Sequence, residues 1–320
     1  MRSVLIAAIV LGVAGGVQAQ GSYPNRAVAM VVGFAPGGGT DAVARILAKN
    51  LSESLGQQVI VENKAGAGGN IATDYVAHAE PDGHTILLGS VGSLAVAPHV
   101  IANLGYDPLR GFAPISMAVV FSNVLVVQAS MPAQTLADYV RLAKEKPGSI
   151  SFGSSGILGA GHLAGELLKI RANIDIVHVP YKGGGPAMQG MLGGQVDSIF
   201  ATPVSAGGQV KAGKIRAIAT TGSKRAVLLP DVPTVAESGY PGFEAMNWYA
   251  YLAPAKTPKD IIERLNRDLV KALHTPEVAA LLNKQGLEPS PSTPEELARY
   301  MEREYETWGR VVKQAGIKAQ

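Results

Sequence analysis

The sequence predicts a two-domain α/β protein with a ligand cleft between the domains. From Ala27 onward, short β-branched runs alternate with amphipathic stretches, the pattern of strands joined by crossover helices in a largely parallel sheet. A second series of the same build starts near Asn123. The chain has 320 residues, more than one compact core usually serves.

In the first series 27–34 (AVAMVVGF) reads as a strand, 40–55 as a helix, 58–62 as a strand, 69–79 as a helix and 85–89 as a third strand. The second series gives strands at 124–128, 149–153, 174–179, 196–201 and 215–220, with helices at 136–144, 162–171 and 186–192. After the Pro-rich segment Leu229-Pro230-Asp231-Val232-Pro233 come one more strand, 247–252, and a long helical tail. In that tail Ile261, Leu265, Leu269 and Leu273 recur at helical spacing, as do Leu297, Met301 and Trp308, and Thr293 suits an N-cap. A terminal helical block of this kind is expected to pack back on the first domain. The chain would then cross between domains near 122 and near 244, making 20–122 with 245–320 one domain and 123–244 the other. Two crossings make a hinge, and paired linkers allow closure around a ligand.

The start of the chain has the layout of a cleavable secretory signal over 1–19: Arg2, an apolar run over 4–13, then a small-residue stretch closing on Val17-Gln18-Ala19. Export is therefore expected, with a mature protein from Gln20. There is no cysteine, which excludes disulfides, thiolate catalysis, Cys-based metal sites and an N-terminal lipid anchor. The formal charge of +3 falls to about +2 without Arg2, too slight to suggest nucleic acid. Basic residues are scattered among acids, as in Glu302-Arg303-Glu304, and read as solvated helix faces.

The densest chemical signal is Phe34-Ala35-Pro36-Gly37-Gly38-Gly39-Thr40-Asp41, between the first strand and its helix. Glycine lets backbone N–H groups approach a ligand, and a helix N-terminus leaves donors unpaired and carries partial positive charge. Such a turn suits an anion, a carboxylate above all. The bland alternative is a tight turn with Thr40 or Asp41 as the N-cap. A similar loop recurs from Gly153 through Ser154, Ser155 and Gly156 to Gly161 and His162. One such loop per domain could hold the two ends of a dicarboxylate or grip one carboxylate across the cleft. Ser90 and Ser93 offer further hydroxyls, and Tyr181, Thr202 and Pro203 follow strands as cleft residues should. His162 could contact the ligand, but it reads more readily as a residue that caps its helix. An Asp41 carboxylate facing the cleft would favour an amine or hydroxyl on the ligand; one capping the helix would say nothing of selectivity.

No nucleotide or cofactor is expected. The first loop lacks the Lys-Ser/Thr ending of a P-loop, and Gly66 to Ile71 misses the dinucleotide fingerprint. The nucleophile elbow fails by one residue at Gly153-Ser154-Ser155-Gly156, and no two of the six histidines stand at metal-ligand spacing. An enzyme is therefore not expected.

With Phe34 to Asp41 and the following Ala44-Arg45, the chain resembles the substrate-binding proteins of tripartite tricarboxylate transporters, the Bug (Bordetella uptake gene) family. The likeness extends through 61–70, Pro81-Asp82-Gly83-His84-Thr85, Val179-Pro180-Tyr181-Lys182-Gly183 and 229–234, and covers essentially the whole chain after the leader. The resemblance implies a Venus-flytrap, two-domain periplasmic binding protein fold; the mature chain is expected to be free in the periplasm, for want of a cysteine to anchor, and monomeric. Its cleft would bind carboxylates such as citrate, aspartate, glutamate, nicotinate or aromatic acids. The segments 34–41 and 154–156 would hold a carboxylate by backbone amides, hydroxyls and ordered water, and the loaded protein would deliver its cargo to the membrane subunits of the transporter. A sensory receptor presenting its acid to a membrane regulator, and a periplasmic hydrolase, are the competing readings.

Overall fold

The computed structural model describes residues 23–315; the expected leader, 1–19, lies outside them. Two mixed sheets organise the chain, each flanked by helices on both faces.

The first sheet is built on β1 (Val28–Val32), β2 (Val59–Asn63) and β3 (Thr85–Ser90), joined by α1 (Gly39–Leu55) and α2 (Asn70–Ala77). It is completed by β4 (Phe112–Ser122), β10 (Met246–Pro254) and β11 (Glu288–Pro289), in the order β11-β4-β10-β3-β1-β2. The second holds β5 (Val124–Gln128), β6 (Ser151–Ser154), β7 (Val177–Pro180), β8 (Ser198–Ala201) and β9 (Ile215–Thr220), in the order β7-β6-β8-β5-β9. Around it lie α3 (Leu136–Glu145), α4 (Ala160–Ala172), α5 (Gly184–Leu192) and α6 (Pro203–Lys211). We call each sheet with its helices a lobe.

Apolar periodicity explains how the layers close. Val43, Leu47, Leu51 and Leu55 recur on one face of α1, are buried, and pack on β1 and β3. That helix stops at Gly56, whose left-handed backbone (φ 70°) suits glycine. On the opposite face of the sheet lies α9 (Pro294–Ala315), with Leu297, Met301, Trp308 and Val312 buried. It starts with a reciprocal cap: Glu296 N–H donates to Thr293 Oγ1 and Thr293 N–H to the Glu296 carboxylate. α7 (Lys259–His274) and α8 (Pro276–Asn283) cover the α1 face.

The largely parallel sheets expected from the alternating pattern are a correction. β10 runs antiparallel to β3 and β4, and β5 antiparallel to β8 and β9, whereas β1–β2, β1–β3, β6–β7 and β6–β8 are parallel. The reason is connectivity. β5 and β10 each arrive from the other lobe, so they start at the hinge and run against strands whose far ends point to the cleft. Two longer elements without an assignment from sequence have local causes. β4 carries Pro114, which breaks the strand pattern and stands at a register shift, where a missing N–H is tolerated. α6 opens on Pro203 and contains Gly207-Gly208, poor helix residues held by an N-cap at Thr202 that accepts from Ser205 N–H.

The chain passes from β4 to β5 through Asn123 and re-enters the first sheet after Ala245. Thr221, fully buried, joins the two crossings. Its N–H donates to Asn123 O (2.9 Å) and its Oγ1 accepts from Asn123 N–H (2.9 Å). On its other side Ala245 N–H donates to Thr221 O (2.8 Å), and the Thr221 hydroxyl donates to Ala245 O (2.8 Å). Thr221→Val keeps the shape but strands a buried donor and a buried acceptor, and should cost about 1–3 kcal/mol. Urea unfolding should show a lower midpoint at unchanged slope.

Candidate functional site

Four helices point their N-termini into one small cavity between the lobes. Its lining includes Gly38 and Gly39 at the start of α1, Gly159 and Ala160 at the start of α4, Gly184 at the start of α5, and Thr202, the N-cap of α6. The convergence follows from topology, since α1, α4 and α6 follow β1, β6 and β8 at their cleft ends and α5 follows β7. Each N-terminus carries unpaired N–H groups and about half a positive charge, and stabilises a nearby anion by about 0.3–2 kcal/mol. First-turn acids would offset that charge, but α4, α5 and α6 have none. The remaining lining is Phe34, Thr40, Ser90, Ser155, Asn247 and Tyr249, so no charged side chain lines the cavity. The cavity measures about 20 Å³, room for one water.

Of the residues singled out in the sequence, Phe34, Gly38, Gly39, Thr40, Ser90, Ser155 and Thr202 meet at this cavity. Gly156 and Tyr181 line an adjoining space of about 180 Å³ toward Lys182, which shares Phe34 and Ser155 with the inner one. The other six are outside both linings and have structural partners. Ala35 N–H donates across the cleft to Lys182 O (2.8 Å). Ser93 is buried, its carbonyl accepting from the Tyr106 hydroxyl. Pro203 opens α6 and packs toward Gly286.

Asp41 neither caps α1, whose N-cap is Gly38, nor lines the cavity. Its carboxylate accepts from Gly37 N–H, from Arg45 Nε and from Asn63 Nδ2. Burial works to raise its pKa, but these hydrogen bonds and the Arg45 charge outweigh it and hold the carboxyl below the usual range. Asn63 also donates to Phe34 O (3.0 Å), so the network fixes the glycine loop from behind.

Ser154 and His162 shape the opposite loop. Ser154 Oγ lies 2.7 Å from His178 Nε2 and accepts from Gly156 N–H, while His162 Nδ1 accepts from Leu158 N–H. The two imidazoles stack at 3.9 Å between centroids. Burial drives both toward the neutral form, and His178 falls to about 3 with help from the His162 and Lys169 charges; beside His162, Glu166 opposes the shift.

Asn247 and Tyr249 escaped the sequence reading. They stand two apart on one face of β10, and Asn247, the one amide in an aromatic and aliphatic strand just after the crossing, was the available signal. Asn247 is 6% exposed and its Oδ1 has no hydrogen-bond partner. Such a group costs about 1–3 kcal/mol until something pairs it.

The lobes touch through backbone. A Cβ on Gly185 would lie 2.7 Å from Pro36 O, and one on Gly92 2.8 Å from Leu158 O. At Gly68, already left-handed (φ 66°), a Cβ would strike Ile157 O. Among the described residues no group of three or more His, Asp or Glu side chains could hold a metal ion.

Two α/β lobes with paired crossings and a polar cavity between them define a periplasmic solute-binding protein. The chain belongs to the tripartite tricarboxylate transporter family receptors, whose family model matches residues 43–317. Among its relatives it is 40% identical over 299 residues to a protein from the tcbD–tcbE intergenic region of Pseudomonas sp. (strain P51), covering 93% of this chain and 89% of that one. To BugT of Bordetella pertussis it is 38% identical over 308 residues, covering 96% and 94%. The periplasmic binding protein BugD superposes with a TM-score of 0.90 at 38% identity, covering 93% of this chain and all (100%) of that one. An R. palustris protein with adipate gives 0.90 at 36% identity, covering 93% and 100%. MatC from Rhodopseudomonas palustris with bound malate gives 0.87 at 33%, covering 91% and 100%.

Two outcomes follow from this geometry. Gly185→Ala favours α5 as a helix yet pushes a methyl into Pro36 O. It should weaken ligand binding roughly tenfold to a hundredfold, the effect of about 1–3 kcal/mol of overpacking, without lowering the melting temperature. Calorimetric titration beside a thermal melt checks this. Because the folded pKa of His178 is depressed, its contribution to stability is present above the unfolded value near 6.5 and is lost as pH falls from there toward 3. His178→Gln should flatten the acid limb of the stability–pH profile between those values, as read by urea midpoints.

Proposed function

We propose that this protein is a periplasmic receptor that captures a small carboxylate between its lobes and delivers it to the membrane subunits of a tripartite tricarboxylate-type transporter. In this reading residues 1–19 direct export and are removed. Residues 20–122 with 245–320 form one domain and 123–244 the other, and the mature protein is a free monomer without a lipid anchor. The observation that carries the reading is the convergence of four helix N-termini on one cavity lined without a charged side chain. A carboxylate there gains N–H donors and the positive ends of the helix dipoles, and it replaces water that no fixed cation holds. The adipate and malate of the two R. palustris structures agree with that choice of ligand class.

Gly38, Gly39, Thr40, Ser90, Ser155 and Thr202 are the residues we assign to the ligand, with Phe34 as an apolar wall and Gly156 and Tyr181 at the outer space. Release would follow opening about the two crossings, which separates the α1 N-terminus from those of α4, α5 and α6. A receptor of this kind binds stoichiometrically and performs no turnover.

Thermal melts of mature protein, refolded to remove any copurified ligand, test the reading against mono-, di- and tricarboxylates. A ligand at a hundred times its Kd stabilises the folded state by about 2.7 kcal/mol. The melting temperature should rise with at least one acid and stay unmoved with neutral sugars and amines. Gly38→Leu, which fills the turn beside Gly184, should abolish the shift while leaving the unliganded melt in place.

A further inference from the structure

We propose that Asn247 selects the cargo: its side-chain amide pairs with an uncharged hydroxyl on the carbon skeleton, so the preferred ligand is a hydroxy acid rather than a plain acid or an amino acid. This rests on the carboxylate reading above and narrows it.

The argument starts from an unmet hydrogen bond. Asn247 lines the cavity, is 6% exposed, and its Oδ1 has no partner. It cannot relax out of the site, because β10 lies between β3 and β4 and pairs with both. An amide oxygen needs a donor. An ionised carboxylate has none, so the group that binds the helix N-termini leaves Oδ1 unpaired. A second group on the ligand must supply the proton. A hydroxyl donates and accepts, and so fits whichever end of the amide faces the ligand.

Charge decides between hydroxyl and ammonium. An ammonium in this cavity would meet four positive helix ends and no counter-charge among the lining side chains. The one acid on the glycine loop, Asp41, is turned from the cavity and occupied by Gly37, Arg45 and Asn63. The hydroxyl is therefore the donor that the site can accept.

Calorimetric titration of the mature protein with matched acids tests this. Succinate, malate and aspartate differ only in the 2-substituent, as do glutarate, 2-hydroxyglutarate and glutamate. The hydroxy acid of the better-fitting length should bind about tenfold tighter than its plain counterpart, with the amino acid weakest. Asn247→Leu should erase the difference between the hydroxy acid and the plain acid, whatever the affinity the two then share, and a thermal melt of the variant shows that it is folded. Asn247→Asp, which supplies the missing anion, should raise the amino acid above the hydroxy acid. Equal binding of plain and hydroxy acids to the wild type would mean that an ordered water pairs Oδ1, and would overturn the proposal. So would a hydroxyl preference that survives in Asn247→Leu, or an amino acid that binds wild type best. If no acid of either series, nor any longer or shorter one, binds, the carboxylate reading fails and the proposal with it.

Discussion

Everything at this site depends on how closely two backbones can approach. Gly68, Gly92 and Gly185 stand where the lobes meet, and a Cβ on any of them would run into a carbonyl of the facing lobe. Stripping side chains from the contact brings the starts of α1, α4, α5 and α6 to one cavity, because each begins at the cleft end of its strand. The abundance of glycine, 38 residues in the chain, is in part the consequence.

Convergent helix ends give the cavity a positive character without an arginine or lysine in its lining. A flexible cation must be desolvated and ordered each time a ligand binds, whereas N–H groups at a helix start are held in place by the fold. Their positions are defended from behind. Asp41, Arg45 and Asn63 brace the first loop, and Ser154, with the stacked His162 and His178, braces the second. Asp41, Ser154 and His162, polar residues expected at the ligand from the sequence, thus hold the loops that border the cavity. Neutral imidazoles suit that task, since a proton on either would add a desolvated charge beside the cleft.

Much of the fold was legible in the sequence. Strand and helix periodicity located most elements within a few residues, and the glycine loops announced themselves by composition. What escaped were features decided by partners far away in the chain. β4 is a strand in spite of Pro114 because β10 and β11 pair with it on either side, and the antiparallel entries of β5 and β10 follow from connectivity. In the site, backbone donors were readable from glycine runs. Side chains were not: Asp41 looks like a ligand group until Asn63, 22 positions on, is seen to claim it. Asn247 looks like an ordinary strand start until the facing loops enclose it.

Thr221 carries a mechanical consequence. Because one residue is tied to both crossings, the two linkers cannot shear past each other without breaking four hydrogen bonds. A movement of the lobes that keeps these bonds must turn about the tied crossings, so that any displacement at the cavity is matched by one on the outer surface, far from it.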